Sequence, residues 1–168
     1  MEILIAPCLA PPQAKRPQPS SRVRGLHTLL GLPMTSVQVR YIVRDVDAAV
    51  AFYTTHLGFR LDMRPAPPFA MLSRGELRLV LSAPNSRGGG GQPMPDGTLP
   101  EPGGWNRFAI QVDDLEATVT RLRAAGVHFR NEIVIGVGGK QILVDDPSGN
   151  PVELFEPTRP EARLSPPA

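Results

Sequence analysis

The stretch "VRDVDAAVAFY" (43–53) decides the fold, because nearly the same pattern returns as "VDDLEATVTRL" (112–122). The two copies align at an offset of 112 − 43 = 69 residues, and in each a valine is followed two residues later by an aspartate. Asp45 and Asp114 stand where a helix N-cap is expected, since a carboxylate can accept the free amides of the first turn. Apolar residues follow each aspartate at helical spacing. Each copy therefore predicts one amphipathic helix.

Short alternating segments surround both helices. "VQVRYIV" (37–43) precedes the first helix and "NRFAIQV" (106–112) the second, and a glycine follows each helix, as helix C-termini favour. Three strand-like runs follow each helix: "GFRLDM", "FAMLS" and "ELRLVLS" in the first half, and "VHFRN", "KQILVDD" and "NPVELFE" in the second. "DDPSGNP" (145–151) predicts a tight turn before the last strand. The order β-α-β-β-β occurs twice, which predicts an α+β fold in which two βαβββ modules form a curved eight-stranded cup with the helices on its outer face.

The ends of the chain and the segment between the two halves differ in composition from the modules. Residues 1–33 contain six prolines and no sustained periodicity, which is typical of a disordered tail, and Met34 is an alternative start. The boundaries expected are a tail over 1–33, a domain over 34–158 with module one at 36–82, a linker or lid at 83–105 and module two at 106–157, and a second disordered tail over 159–168. A connection as long as 83–105 is either a lid or a disordered linker in a compact domain, and the sequence leaves both open.

Charge and composition exclude several classes of function. Residues 1–33 hold four basic side chains and one acidic one, so residues 34–168 hold 18 − 4 = 14 basic and 16 − 1 = 15 acidic groups. A folded part without surplus positive charge is a poor nucleic-acid binder. The chain has no apolar run of about 18 residues, the length needed to span a membrane. Its single cysteine, Cys8, excludes an intrachain disulfide and a cysteine-based zinc site. We expect a cytoplasmic protein without nucleic-acid or membrane partners.

The repeated helix starts and the closing segment "DPSGNPVELFEP" (146–157) resemble the vicinal oxygen chelate superfamily, which contains glyoxalase I, bleomycin-resistance proteins and extradiol dioxygenases. The resemblance covers residues 36–157. It implies the paired-module cup predicted above, a small-molecule ligand and a homodimer. In the metal-using members of the superfamily, one side chain from each of four strands holds a divalent cation at the floor of the cup.

Transferred to this chain, the four metal positions of the resemblance fall on Gln38, Val80, Arg107 and Glu153, and none of the three histidines falls on them. Val80 has no donor atom, and Arg107 is a permanent cation that cannot act as a ligand. Gln38 and Glu153 alone would make a weak metal site, so we expect no cofactor. The alternative is a metal-dependent lyase, isomerase or dioxygenase that holds Zn, Ni, Mn or Fe through these two residues.

Strand alternation predicts which side chains face the cup. The residues expected to line a ligand pocket are Gln38, Arg40, Arg78, Trp105, Arg107, Glu153 and Phe155. Lys140 and Gln141 are expected at the rim. No catalytic residue is identified.

Arg107 and Glu153 are expected to form a bidentate ion pair in place of the cation. Because one carboxylate cannot neutralise three guanidiniums, the cup would keep positive charge and select a small anionic or polar organic molecule. Two simpler interpretations stay open: the pair only plugs an abandoned metal site, or the fold is a dimerisation scaffold whose cup is filled by its own side chains.

Overall fold

The structure is a computed structural model that describes residues 37–87 and 90–163. The predicted tail over 1–33 and the alternative start at Met34 lie outside the described residues, as do residues 164–168. None of the helices in the described part is long and apolar enough to cross a membrane.

Two four-stranded sheets, each with one helix, confirm the predicted α+β fold of two βαβββ modules. The first module consists of β1 (Val37–Ile42), α1 (Val46–Leu57), β2 (Arg60–Ala66), β3 (Phe69–Arg74) and β4 (Leu77–Ser82). The second consists of β5 (Ala109–Gln111), α2 (Leu115–Ala124), β6 (Val134–Ile135), β7 (Gly139–Asp145) and β8 (Pro151–Pro157). The strand orders are β1-β4-β3-β2 and β5-β8-β7-β6, so the two sheets have the same topology.

The helix termini follow the capping pattern read from the sequence. Asp45 Oδ1 accepts the backbone amides of Asp47 and Ala48 at 2.8 and 3.0 Å. Asp114 Oδ1 accepts the amide of Ala117 at 2.8 Å. Gly58 ends α1 in the left-handed region at φ 68°, which a residue without Cβ adopts at little cost. The predicted N-caps are confirmed.

The register shows that the modules are equivalent strand by strand. β1 runs parallel to β4 with Arg40 opposite Val80, and β5 runs parallel to β8 with Ala109 opposite Glu153. Because the sequence repeat aligns Arg40 with Ala109, Val80 and Glu153 occupy equivalent places in the two sheets. α1 packs on β2, β3 and β4, and α2 packs on β8. We call the opposite side of each sheet its open face.

One apolar core joins the two modules. Tyr41, on the helix side of β1, stacks on Phe108 with 5.5 Å between ring centroids, and Phe59 contacts the same ring at 5.9 Å. The Tyr41 hydroxyl donates to the Pro151 carbonyl at 2.7 Å, and burial raises the pKa of Tyr41 to about 12. Burial also raises the pKa of Tyr53, which lies in the same core. Both hydroxyls therefore stay neutral hydrogen-bond donors.

The turn "DDPSGNP" is organised by the carboxylate of Asp146, which is only 4% exposed. Its Oδ1 accepts the amides of Ser148 and Asn150 at 2.8 and 2.9 Å. Its Oδ2 accepts the Tyr53 hydroxyl of α1 at 3.0 Å and the Asn150 side-chain amide at 2.9 Å. The turn therefore ties β7 and β8 to the helix of the other module.

Two elements differ from the sequence prediction. The predicted strand "VHFRN" (127–131) forms only an isolated bridge from Phe129 to Val144. The Leu143 amide is taken by the side chain of Asn131 at 2.9 Å, so the regular ladder with β7 is interrupted. The outer strand β6 lies further along the chain. A 3-10 turn over Pro160–Ala162 also lies in the segment 159–168 that was predicted to be disordered.

Candidate functional site

The open face of the first sheet carries three of the predicted ligand-binding residues. Gln38 and Arg78 are opposite one another on β1 and β4, and Arg40 lies two residues further along β1. All three are exposed. Alternation along β1 places them on the opposite side from the buried Tyr41, so the prediction that they share one face follows directly from the strand period.

Neither guanidinium on this face has a carboxylate partner within the described ranges. Arg40 donates from NH1 to the hydroxyl of Ser82, which is fully buried at the end of β4. Arg78 donates from NH1 to the sulfur of Met71 at 3.5 Å. The nearby carboxylate of Asp62 is already bound by Ser73 and Arg60 at 2.9 and 3.0 Å. The Ser73 hydroxyl, followed by the Arg60 guanidinium and then by the charge of Arg78, lowers the pKa of that carboxyl, although Arg78 and Asp62 form no ion pair.

The segment between the modules lies against Arg40. The backbone of Gly90 comes so close that a Cβ on this residue would overlap the Arg40 side chain. Further along, the amide of Gly103 donates to Asn150 Oδ1 at 2.7 Å, and Arg130 NH1 donates to the Gly104 carbonyl at 2.8 Å. The segment is therefore held at its end by the β7–β8 turn and contacts the open face of the first sheet near its start.

Arg107 and Glu153 form the ion pair predicted from the sequence. Arg107 Nε donates to Glu153 Oε2 at 2.8 Å, while its NH1 donates to the Trp105 carbonyl at 3.2 Å. The prediction of a bidentate pair is wrong, because Nε is the only nitrogen of Arg107 that makes a hydrogen bond to Glu153 in the described structure. The Arg107 side chain is 34% exposed and that of Glu153 is 17% exposed, so the pair is partly shielded from water. Arg107 precedes β5 rather than lying within it.

The two predicted aromatic residues lie in different surroundings. Trp105 is 72% exposed, and the guanidinium of Arg130 lies 5.1 Å from its ring centroid. Phe155, on the open side of β8, is half-buried and its ring lies close to the backbone of Gly139. A Cβ at position 139 would overlap the Glu156 carbonyl oxygen and come within 2.9 Å of the Phe155 ring, so the position has no room for a larger residue.

The structure brings the predicted residues together in two groups. Gln38, Arg40 and Arg78 share the first sheet, whereas Trp105, Arg107, Glu153 and Phe155 belong to the second module. In the part of the chain that the structure describes, no hydrogen bond or ion pair links one group to the other.

The prediction that Lys140 lies at the rim is wrong. Lys140 Nζ lies 2.8 Å from Glu116 Oε1 of α2, so the side chain is on the helix side of β7. Its neighbour Gln141 is opposite Phe155 and faces the open side. Alternation cannot place two consecutive residues on the same face.

An acidic cluster that the sequence reasoning did not identify lies at the start of α2. The carboxylate oxygens of Asp114, Glu116 and Glu156 come within 4.8 Å of one another. Each of them already has a partner: Glu156 Oε2 accepts the Leu115 amide at 2.7 Å, and Lys140 binds Glu116. The Lys140 ammonium lowers the pKa of Glu116, and Glu116 in turn raises the pKa of Lys140. The cluster is therefore explained by helix capping and one lysine.

The four positions onto which the resemblance transfers the metal ligands do not fit a divalent cation. Val80 is 2% exposed and apolar, and it lies where the second module has Glu153. Arg107 supplies a positive charge, and Glu153 Oε2 is already its acceptor. Gln38 adds one neutral amide oxygen. Two oxygen donors beside a guanidinium are too few for a hard or borderline cation, which takes four or more ligands.

Comparison with known proteins gives the family. The profile of the Glyoxalase/Bleomycin resistance protein/Dioxygenase superfamily matches residues 35–154. The chain belongs to this superfamily. A comparison with curated protein sequences finds no match.

Several solved structures share the fold. Lactoylglutathione lyase from Agrobacterium tumefaciens is 25% identical with a TM-score of 0.57, over 74% of this chain and 94% of that one. TnmS3, an antibiotic binding protein from Streptomyces sp. CB03234, is 23% identical with a TM-score of 0.58, over 77% and 99%. The fosfomycin resistance protein FosX from Listeria monocytogenes is 18% identical with a TM-score of 0.59, over 79% and 100%. A lyase, an antibiotic binding protein and a fosfomycin resistance protein thus share this fold.

Proposed function

We propose that this protein binds a small anionic or polar organic molecule at the open face of its first sheet, without a tightly held metal ion. The observation that carries the proposal is the charge of that face. Arg40 and Arg78 stand on it with no ion-pair partner in the described residues. A ligand carboxylate or phosphate would supply the missing negative charge.

Arginine is suited to this role because its planar guanidinium binds carboxylate and phosphate through two parallel hydrogen bonds. Arg40 is held from behind by the buried hydroxyl of Ser82, which uses one of its NH1 donors. Its remaining N–H groups have no hydrogen-bond partner among the described residues and are donors for a ligand. Gln38, next to Arg78 in register, offers both a donor and an acceptor that would fix the orientation of a polar group.

In this proposal the second module contributes polar and apolar surface to the binding site but no unpaired charge. Glu153 neutralises Arg107, so that pair adds a fixed polar surface. Trp105 and Phe155 supply apolar walls, and the segment 83–105 acts as a lid through the contact of Gly90 with Arg40.

On this proposal the protein is a cytoplasmic homodimer. Ile135, on the edge strand β6, is 79% exposed and is the type of residue that a second subunit would cover.

The structural neighbours support ligand binding and also give the one observation in favour of an enzyme. The antibiotic binding protein and the fosfomycin resistance protein show that this fold serves binding and resistance. The lactoylglutathione lyase, at 25% identity, favours a metal-dependent lyase or isomerase, in which Gln38 and Glu153 would hold Zn, Ni, Mn or Fe. The donor set of this chain favours the binding protein.

Native mass spectrometry of the purified protein, followed by thermal-shift titration with a panel of organic carboxylates and phosphates, tests the proposal. We expect a metal-free protein and a ligand-dependent rise in Tm that Arg40→Gln and Arg78→Gln each reduce. Arg64→Gln is the matched control, because it removes the same charge from β2 but its side chain pairs with Asp47 at the start of α1. A stoichiometric metal that survives dialysis, or equal shifts in wild type and both open-face variants, would contradict the proposal.

A further inference from the structure

A cavity lies on the helix side of the molecule, where the end of α1 meets the second module. Its volume is about 360 Å³. Residues 55–58 and Arg74 form its wall in the first module, and Ile110, Thr118 and Arg121 face them from the second. We call it the inter-module cleft. Among the described residues, its lining includes two arginines and no carboxylate.

Arg74, at the end of β3, is the unusual residue of this cleft. In the described part of the chain its guanidinium makes no hydrogen bond and no ion pair. Partial burial lowers the pKa of this group, although the residue as a whole is still exposed to water, so the guanidinium has lost only part of its hydration and has no partner among the described residues. A charge in this state is stabilised by any anion that can reach it.

Arg121, on α2, faces the same space from the other module. Its NH2 donates to the carbonyl of His56 at 3.3 Å, which is one of the unpaired carbonyls at the end of α1. A guanidinium has five N–H groups, so this bond leaves donors for a ligand. The Thr55 hydroxyl in the same wall adds another donor.

The base of the cleft is apolar. Ile110 and Leu154 line it and are 4% and 1% exposed. A small inorganic anion would bind the guanidiniums and leave this surface uncovered, whereas an organic anion would use both. The volume of the inter-module cleft is at the lower end of the range for small-molecule sites.

We propose that the inter-module cleft binds an organic anion, with a carboxylate or phosphate group between Arg74 and Arg121 and an apolar body against Ile110 and Leu154. The site is independent of the open-face site, because it lies on the helix side and uses none of the same residues. A ligand there would contact both modules at once, so its binding free energy would add to the stability of their association.

The test titrates the full chain with phenyl phosphate and with phenylacetate at constant ionic strength, using calorimetry for affinity and methyl and amide NMR shifts of Ile110 and Thr118 for location. We expect saturable binding of at least one probe, weakened about tenfold in Arg74→Gln because a charge-assisted hydrogen bond is lost. Arg123→Gln is the matched control on α2. Its guanidinium pairs with Glu132 at 2.7 Å and does not line the cleft.

Arg74→Gln is the decisive variant, because the guanidinium that it removes makes no hydrogen bond to any described residue that could be lost. Arg121→Gln supplies a second measurement from the other module, with its fold checked by circular dichroism. Absence of saturable binding in the wild type, or unchanged affinity in Arg74→Gln, would overturn the proposal. Arg40→Gln separates the two sites: loss of the probe in that variant with full binding in Arg74→Gln would assign the ligand to the open face instead.

Discussion

Arg107 Nε lies 2.8 Å from Glu153 Oε2, so a guanidinium of the protein stands beside the one carboxylate among the four positions that correspond to metal ligands in the superfamily. The equivalent of Glu153 in the first module is Val80, which has no polar atom to offer. Val80 offers no side-chain donor, and Arg107 brings a positive charge. On the proposal of a metal-free protein, this fixed ion pair stands where a cation would otherwise bind.

A double-mutant cycle with Arg107→Gln and Glu153→Gln measures what that pair contributes. We expect a coupling free energy of about 0.5 to 1 kcal/mol in urea unfolding, because a pair with one side chain about a third exposed is screened by water. The coupling should shrink in high salt. A coupling of several kcal/mol would instead show that the pair is chiefly a structural plug of a buried site.

The side chain of Asp146, in the turn between β7 and β8, should contribute strongly to the free energy of unfolding. Asp146→Ala removes the acceptor of four hydrogen bonds, including that of the Tyr53 hydroxyl at 3.0 Å. We expect the free energy of unfolding to fall by about 3 kcal/mol or more, since buried donors are left unpaired. Chemical denaturation is the measurement.

Asp113→Ala is the control for that variant, because Asp113 is exposed and makes no hydrogen bond to any described residue. We expect it to change stability by no more than about 0.5 kcal/mol. Similar losses in the two variants would show that Asp146 acts only as a general surface acid.

The sequence predicts those parts of the fold that depend on neighbours along the chain. The repeat of 43–53 at 112–122 predicts both helices, and Asp45 and Asp114 predict where they begin. The family resemblance places Arg107 and Glu153 at neighbouring positions of the cup, and the cost of an unpaired guanidinium then predicts that the two form an ion pair.

Features that depend on packing between distant segments were not predictable in this way. The bond from Tyr53 to Asp146 joins residues 93 positions apart, and nothing in "DDPSGNP" indicates that α1 lies beneath it. The inter-module cleft arises from the way the second module meets the end of α1. Lys140 lies on the helix side because alternation puts it and Gln141 on opposite faces of β7, so the two cannot both lie at the rim.

Gly90→Ala tests whether the linker positions Arg40. A Cβ at this residue would overlap the Arg40 side chain, which is flexible and can move away. We therefore expect stability to change by less than about 1 kcal/mol, while affinity for an open-face ligand falls several-fold. Thermal denaturation and ligand titration of the same variant give the two values.

Gly136→Ala is the matched control for the linker, because its Cβ would meet only the Gly139 carbonyl at an ordinary 3.7 Å. Neither stability nor affinity should change much. If Gly90→Ala binds the ligand as tightly as the wild type, the segment 83–105 does not shape the site.

Alkaline pH should unfold the protein through its tyrosines. The chain has two, Tyr41 and Tyr53, and burial raises the pKa of both above the usual 10.0, that of Tyr41 to about 12. In the unfolded chain both ionise near pH 10, whereas in the folded chain they stay neutral. The stabilisation that comes from the neutral Tyr41 hydroxyl in the folded chain is therefore complete below pH 10 and is lost as the pH rises through about 12. For Tyr41 the loss is about 2 to 3 kcal/mol.

Absorbance of tyrosinate as a function of pH measures this directly. We expect the folded protein to show almost no tyrosinate at pH 10, and the urea-unfolded protein to show about half of its tyrosines ionised there. Tyr41→Phe removes one group and should make stability above pH 10 less steeply dependent on pH, at the cost of the bond to the Pro151 carbonyl. Tyrosinate that appears in the folded protein with an ordinary midpoint would show that the core joining the two modules is open to water.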